Sequence, residues 1–130
     1  MGFIWFRRIC TVLLCLLLAA TFWLPQRVLS QYAAQWYDKI DAASDALHDG
    51  DSKAAAAHCA ELAASYRQRR DVLERFLNHD TVTAVMCAAG EAEVFAQVGD
   101  APGALAALAT MREGIEMLVR IERFTWNALL

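Results

Sequence analysis

Residues 29–51 read LSQYAAQWYDKIDAASDALHDGD. Leu29, Ala33, Trp36, Ile40, Ala43 and Leu47 recur in this stretch at alternating steps of four and three, which lines them up as one apolar stripe of an amphipathic helix. The stripe stops at Asp49-Gly50-Asp51. There Gly50 suits a left-handed C-terminal cap, and Asp51 or Ser52 suits the N-cap of a following helix.

The same grammar continues along the chain. A second helix carries Cys59, Leu62, Tyr66, Leu73 and Phe76 on one line and is expected to end around Asn78-His79-Asp80. A third presents Val82, Val85, Met86, Ala89, Ala92 and Ala96 and stops at Gly99-Asp100. Pro102 then falls in the first turn of a fourth, where its missing N–H costs nothing. The fourth stripe runs through Leu105, Leu108, Met111, Ile115, Leu118, Val119 and Trp126. Gly50-Asp51 before Ala54 to Ala57 aligns with Gly99-Asp100 before Ala104 to Ala107, an offset of 49 residues (99 − 50). That is longer than a tetratricopeptide unit and implies a duplicated helical hairpin. Helices of this length are marginal alone, so burial of the four stripes must hold them. The expected fold is all-α: an N-terminal transmembrane helix followed by two helical hairpins, as a four-helix bundle or a short helical array.

Working back towards the N-terminus, Ile9 to Leu24 (ICTVLLCLLLAATFWL) holds no charge, and Phe3 to Phe6 adds an apolar stretch before Arg7 and Arg8. As a helix, residues 9–24 span about 24 Å, slightly less than a ~30 Å hydrocarbon core. With Arg7 and Arg8 snorkelling, Phe3 to Leu24 is the better estimate of the embedded length. Trp5 and Trp23 suit the two interfacial belts, and Pro25 is expected to end or kink the helix. Arg7, Arg8 and the amino terminus before the span, against Arg27 and Lys39 after it, favour a cytoplasmic N-terminus. Residues 1–26 are thus read as a membrane anchor and 27–130 as an extracytoplasmic helical domain. The alternative is a signal peptide with Val28-Leu29-Ser30 as a weak cleavage motif. That motif lies beyond Pro25 and Arg27, and no A-x-A stands near the apolar run. A lipoprotein fits worse, because Leu14 precedes Cys15 where a small residue is wanted.

Composition supports the same picture. The 130 residues are 58% hydrophobic, with 2 Pro and 6 Gly, and abundant Ala favours helix. The first 37 residues contain no acid; beyond Pro25, 10 Lys and Arg face all 15 Asp and Glu, a balance of −5. A domain of that sign is not built to neutralise nucleic-acid phosphates. Its summed charge also gives no attraction to anionic lipid, which leaves membrane contact to the N-terminal segment.

No residue pattern specifies catalysis, a metal or a cofactor. Cys10 and Cys15 lie in the span. Cys59 and Cys87, on consecutive antiparallel helices, fall roughly 18 Å out of register, too far for a disulfide, and are expected to be buried free thiols. His48, His58 and His79 form no i, i+4 pair, and His58 and Cys59 point ~100° apart. Glu91 and Glu93 leave their helix on differing faces, so they make a poor acid/base pair. Arg69 and Glu122 interrupt apolar lines. Their functional reading is a partner-binding pair, and the simpler one is a snorkelling Arg and a stripe-edge Glu.

With these features in place the chain resembles the family called domain of unknown function 4363, small Gram-positive membrane proteins. The likeness rests on the apolar N-terminal span, an aromatic at Tyr66 (Trp in the family), His79-Asp80 after Phe76-Leu77, the Gly99-Asp100 turn, and the closing run Glu122 to Leu129. It implies a membrane-anchored helical domain and no activity. The expectation is therefore a non-enzymatic, membrane-tethered interaction or scaffold protein with a protein partner. The rivals are a ligand- or metal-carrying bundle and a secreted helical protein released by cleavage near Ser30.

Overall fold

The structure is a computed structural model that describes the backbone of residues 2–129. Within the helices, the side chains of Phe22, Leu24, Pro25, Gln26, Phe76, Glu122, Thr125, Trp126 and Leu129 lie outside the description. Four helices, α1 (Gly2–His48), α2 (Ser52–Phe76), α3 (His79–Gln97) and α4 (Ala101–Leu129), account for almost all of it. There is no strand among the described residues. Contacts divide the chain into two units, Met1–Tyr32 and Ala33–Leu130.

In the first unit, the stretch Gly2–Thr21 is long and apolar enough to cross a membrane and is wholly exposed. The hydroxyls of Thr11 and Thr21 donate to the carbonyls of Arg7 and Leu17 at 2.8 and 2.7 Å, so both threonine hydroxyls of this stretch find partners within their own helix. Pro25 does not end the helix as expected, since α1 runs through it. Proline withholds one N–H from the residue-21 carbonyl, and a long helix paired on both sides of that gap survives the loss.

The second unit is built on the stripes read from the sequence. The five α1 stripe residues within it, Ala33, Trp36, Ile40, Ala43 and Leu47, are buried, with Trp36 and Ala43 fully sealed. At the first turn Gly50 has φ 77°, the Gly50 N–H donates to Leu47 O and the Asp51 N–H to Ala46 O. The Asp51 carboxylate then accepts from the Ala54 N–H at 3.1 Å. The second Gly-Asp turn repeats every bond. Gly99 has φ 79°, Gly99 N–H donates to Ala96 O and Asp100 N–H to Phe95 O, and the Asp100 carboxylate accepts from Gly103 N–H at 3.1 Å. Each is a glycine cap closing one helix and an aspartate cap opening the next. The α2–α3 turn is different and shorter. Leu77 closes α2, Asn78 caps α3 through its side chain, and His79 and Asp80 form the first turn of α3. The expected end of the second helix at Asn78-His79-Asp80 is thereby corrected, because Asn78 serves as an N-cap.

Contacts run round a ring. The Trp36 and Tyr66 rings meet at 5.1 Å and 58°, and Trp36 Nε1 donates to Ser65 Oγ, which joins α1 to α2. The buried Tyr66 hydroxyl donates to Val82 O of α3 at 2.8 Å. Gly114 of α4 lets Val85 of α3 approach so closely that a Cβ there would sit 2.4 Å from Val85 Cγ2. Arg112 of α4 returns to α1, pairing with Asp41 and lying over the Tyr37 ring at 5.3 Å. Each helix thus touches the next and the fourth touches the first, which makes a closed up-down-up-down four-helix bundle rather than an open array.

The 49-residue offset extends into the core. Ala33, Trp36, Ile40, Ala43 and Leu47 of α1 correspond to Val82, Val85, Ala89, Ala92 and Ala96 of α3, all buried. Ala55, Cys59, Leu62 and Tyr66 of α2 correspond to Ala104, Leu108, Met111 and Ile115 of α4, again all buried. The two hairpins share a pattern of positions and differ in volume. Bulky Trp36 and Ile40 stand where α3 has Val85 and Ala89, while Ile115 stands where α2 has Tyr66.

Candidate functional site

The bundle interior is apolar. Among the described residues none of the buried ones is polar or charged, and a single buried side-chain oxygen, Thr83 Oγ1 on a half-buried residue, lacks a partner. A core lined by Trp36, Ile40, Leu62, Met111 and Ile115 offers packing and no convergent polar groups. Among the described residues, no three or more His, Cys, Asp or Glu side chains gather as metal ligands.

The four cysteines are free thiols. Cys59 is buried as expected, whereas Cys87 is exposed, which corrects the expectation that both are buried. Position 87 falls between Val85 and Ala89 on the outward side of α3, a face that the apolar line through Met86 made look wider than it is. Burial, and then the nearby Glu93 carboxylate, push the Cys59 thiol pKa up, so Cys59 stays protonated and unreactive at neutral pH. His48 and His79 are exposed and His58 is half-buried. Glu91 is exposed and Glu93 half-buried. Arg69 is exposed on α2, and the Glu122 side chain lies outside the described residues.

One surface combines several chemistries. Tyr37 of α1 and Glu116, Val119, Arg120 and Arg123 of α4 line a cleft of about 230 Å³. Arg112 borders it through its pairing with Asp41 and its place over the Tyr37 ring. Burial and Glu116 raise the Tyr37 pKa against the opposing effect of Arg112, so its phenol stays neutral. Such a cleft can hold an acidic or hydrogen-bonding group, but it contains no nucleophile beside a base. Sequence reasoning missed it, because Asp41 and Arg112 lie 71 residues apart and no local pattern joins them.

Charge is also polarised along the bundle. At the end bearing both Gly-Asp turns lie Asp45, Asp49, Asp51, Glu91, Glu93 and Asp100, with Lys53. Towards the other end, where the chain enters at Ala33, lie Arg67, Arg69, Arg70, Arg75, Arg120 and Arg123, with Asp71, Glu74, Asp80 and Glu116 among the described side chains. Glu74 there is engaged by Arg70 at 2.8 Å and by His79 at 3.4 Å. The negative total therefore conceals an acidic turn end and an arginine-rich entry end.

Comparison with protein-family models, curated proteins and solved structures finds no match. The likeness to domain of unknown function 4363 accordingly rests on the quoted motifs alone.

Proposed function

We propose that this chain is a membrane-tethered helical scaffold, whose N-terminal helix crosses the membrane and whose bundle offers its outer surface to a protein partner outside the cytoplasm. The observation that carries the reading is the contrast between the two units. The apolar side chains of Gly2–Thr21 are exposed, while the bundle's apolar stripes are sealed around a core without buried polar residues. Exposed apolar surface of that length needs a bilayer to cover it. A sealed, apolar core suits a rigid support better than a carrier or an enzyme, which needs convergent polar groups in a cavity. The orientation follows from Arg7 and Arg8 preceding the span. The interfacial level is supported by Arg27, whose guanidinium lies 4.7 Å from the Trp23 ring centroid, a pairing suited to a headgroup region.

The test is crosslinking in intact cells followed by mass spectrometry, beside carbonate and high-salt washing of membranes. The reading expects the chain to stay in the washed membrane and to yield a reproducible crosslink from the bundle surface to a protein with an extracytoplasmic domain. Release by carbonate, or crosslinks solely to cytoplasmic proteins, contradicts it.

A further inference from the structure

We propose that the C-terminal end of α4 is a second membrane contact, which docks on anionic lipid headgroups. This rests on the tethered reading above and adds a lipid class and a surface to it.

The last turns of α4 have no counterpart on α3. Val85 lies against Gly114, and in that antiparallel register the start of α3 at His79 is level with residue 120. Residues 121–129 of α4 therefore run beyond α3, about 14 Å of helix at 1.5 Å per residue. Met117, one turn before this stretch, and Ile121 and Phe124 on it are 52, 42 and 74% exposed, and steps of four and three put them on one line. Arg120 and Arg123 are exposed beside that line. Among the described residues no carboxylate lies within ion-pair distance of either arginine. An apolar line flanked by arginines is the arrangement by which a helix lies in a lipid interface.

Its place in the fold selects the occupant. The overhang is at the entry end of the bundle, the end from which the chain leads back to the apolar stretch ending at Thr21. Eleven residues, 22–32, separate Thr21 from Ala33, at most about 18 Å of helix over the twelve steps. A bilayer surface is thus within tether reach of this end, while the six carboxylates of the turn end are repelled from it. Arg67, Arg69 and Arg75, all exposed on α2, lie at the same end but are offset there by Asp71, Glu74, Asp80 and Glu116, so the attraction rests on Arg120 and Arg123. The balance of −5 reports the sum of the charges and not their distribution.

The test compares backbone hydrogen exchange of the full chain in phosphatidylcholine vesicles with that in vesicles containing added phosphatidylglycerol. Two arginines near an anionic surface each bring close to a factor of five, so amides 121–129 are expected to exchange at least about tenfold more slowly in the anionic vesicles. The double variant Arg120→Glu/Arg123→Glu should abolish that difference, and Phe124→Ser should reduce it. All three residues are exposed, so the variants should keep the wild-type circular dichroism. Equal exchange in the two lipids, with the chain retained after carbonate washing, overturns the docking and leaves the tether standing. Slow exchange in both lipids that grows with protein density assigns the stripe to a second copy and overturns the docking. Release by carbonate removes the tether and the docking together.

Discussion

Gly50 and Gly99 sit at φ 77° and 79° in open space, and a Cβ at either position would meet nothing within 4 Å, so any penalty for a side chain there is purely conformational. Replacing either by Val should cost about 1–2 kcal/mol, and Asp51→Ala or Asp100→Ala about 0.5–2 kcal/mol through loss of a cap. Thermal melts check this, with Glu91→Gln, exposed, as a control expected within ~0.5 kcal/mol. Burial, chiefly, holds the Tyr66 phenol well above its ordinary value, with smaller opposed effects from Arg70 and Glu74. An unfolded tyrosine ionises near pH 10, so this group's contribution is fully present below about that pH. It is lost as pH rises towards the higher folded value. The melting temperature should therefore fall above about pH 10. Tyr66→Phe should flatten part of that fall while costing about 0.5–1.5 kcal/mol at neutral pH. The turn residues were legible because glycine and aspartate carry their conformational chemistry locally. The Asp41–Arg112 pair and the exposure of Cys87 were not, because both depend on which helix lies across the bundle.

At the scale of helices, the apolar stripes of α1 and α3 could be read directly, since steps of three and four leave little room for another structure. Alanine was the ambiguous residue. Ala55, Ala63, Ala88, Ala104 and Ala107 are buried yet formed no part of the stripes read from the sequence, because alanine serves helix propensity and close packing equally well. Pro25 misled in the opposite sense, as a breaker that a long helix absorbs. The closest helix approach, Gly114 against Val85, yields a paired prediction. Gly114→Ala gains about 1 kcal/mol of helix propensity but overpacks a stiff, buried β-branched side chain at about 1–3 kcal/mol, so the net effect should be destabilising. In a Val85→Ala background the same substitution should become stabilising, and a double-mutant cycle on melting free energies measures the coupling.

The whole molecule joins an exposed apolar helix to a sealed bundle with an acidic turn end and an arginine-rich entry end. Its all-α class was legible, because turns, stripes and the apolar N-terminal stretch each carry a local signature, whereas the choice between a closed bundle and an open array and the continuity of α1 through Pro25 were not. The surfaces were not, because the α1–α4 cleft and the charge polarity appear only once the helices are arranged in a ring. The most direct test of the tethered-bundle account is labelling of intact cells with a membrane-impermeant maleimide, followed by identification of the modified cysteine. The account predicts labelling at exposed Cys87 and none at Cys59, whose buried thiol should react only after unfolding, with Cys10 and Cys15 shielded by the bilayer. A Cys87 that stays unlabelled until the cells are broken would put the bundle on the cytoplasmic side, and labelling of Cys59 in the folded protein would contradict the closed core.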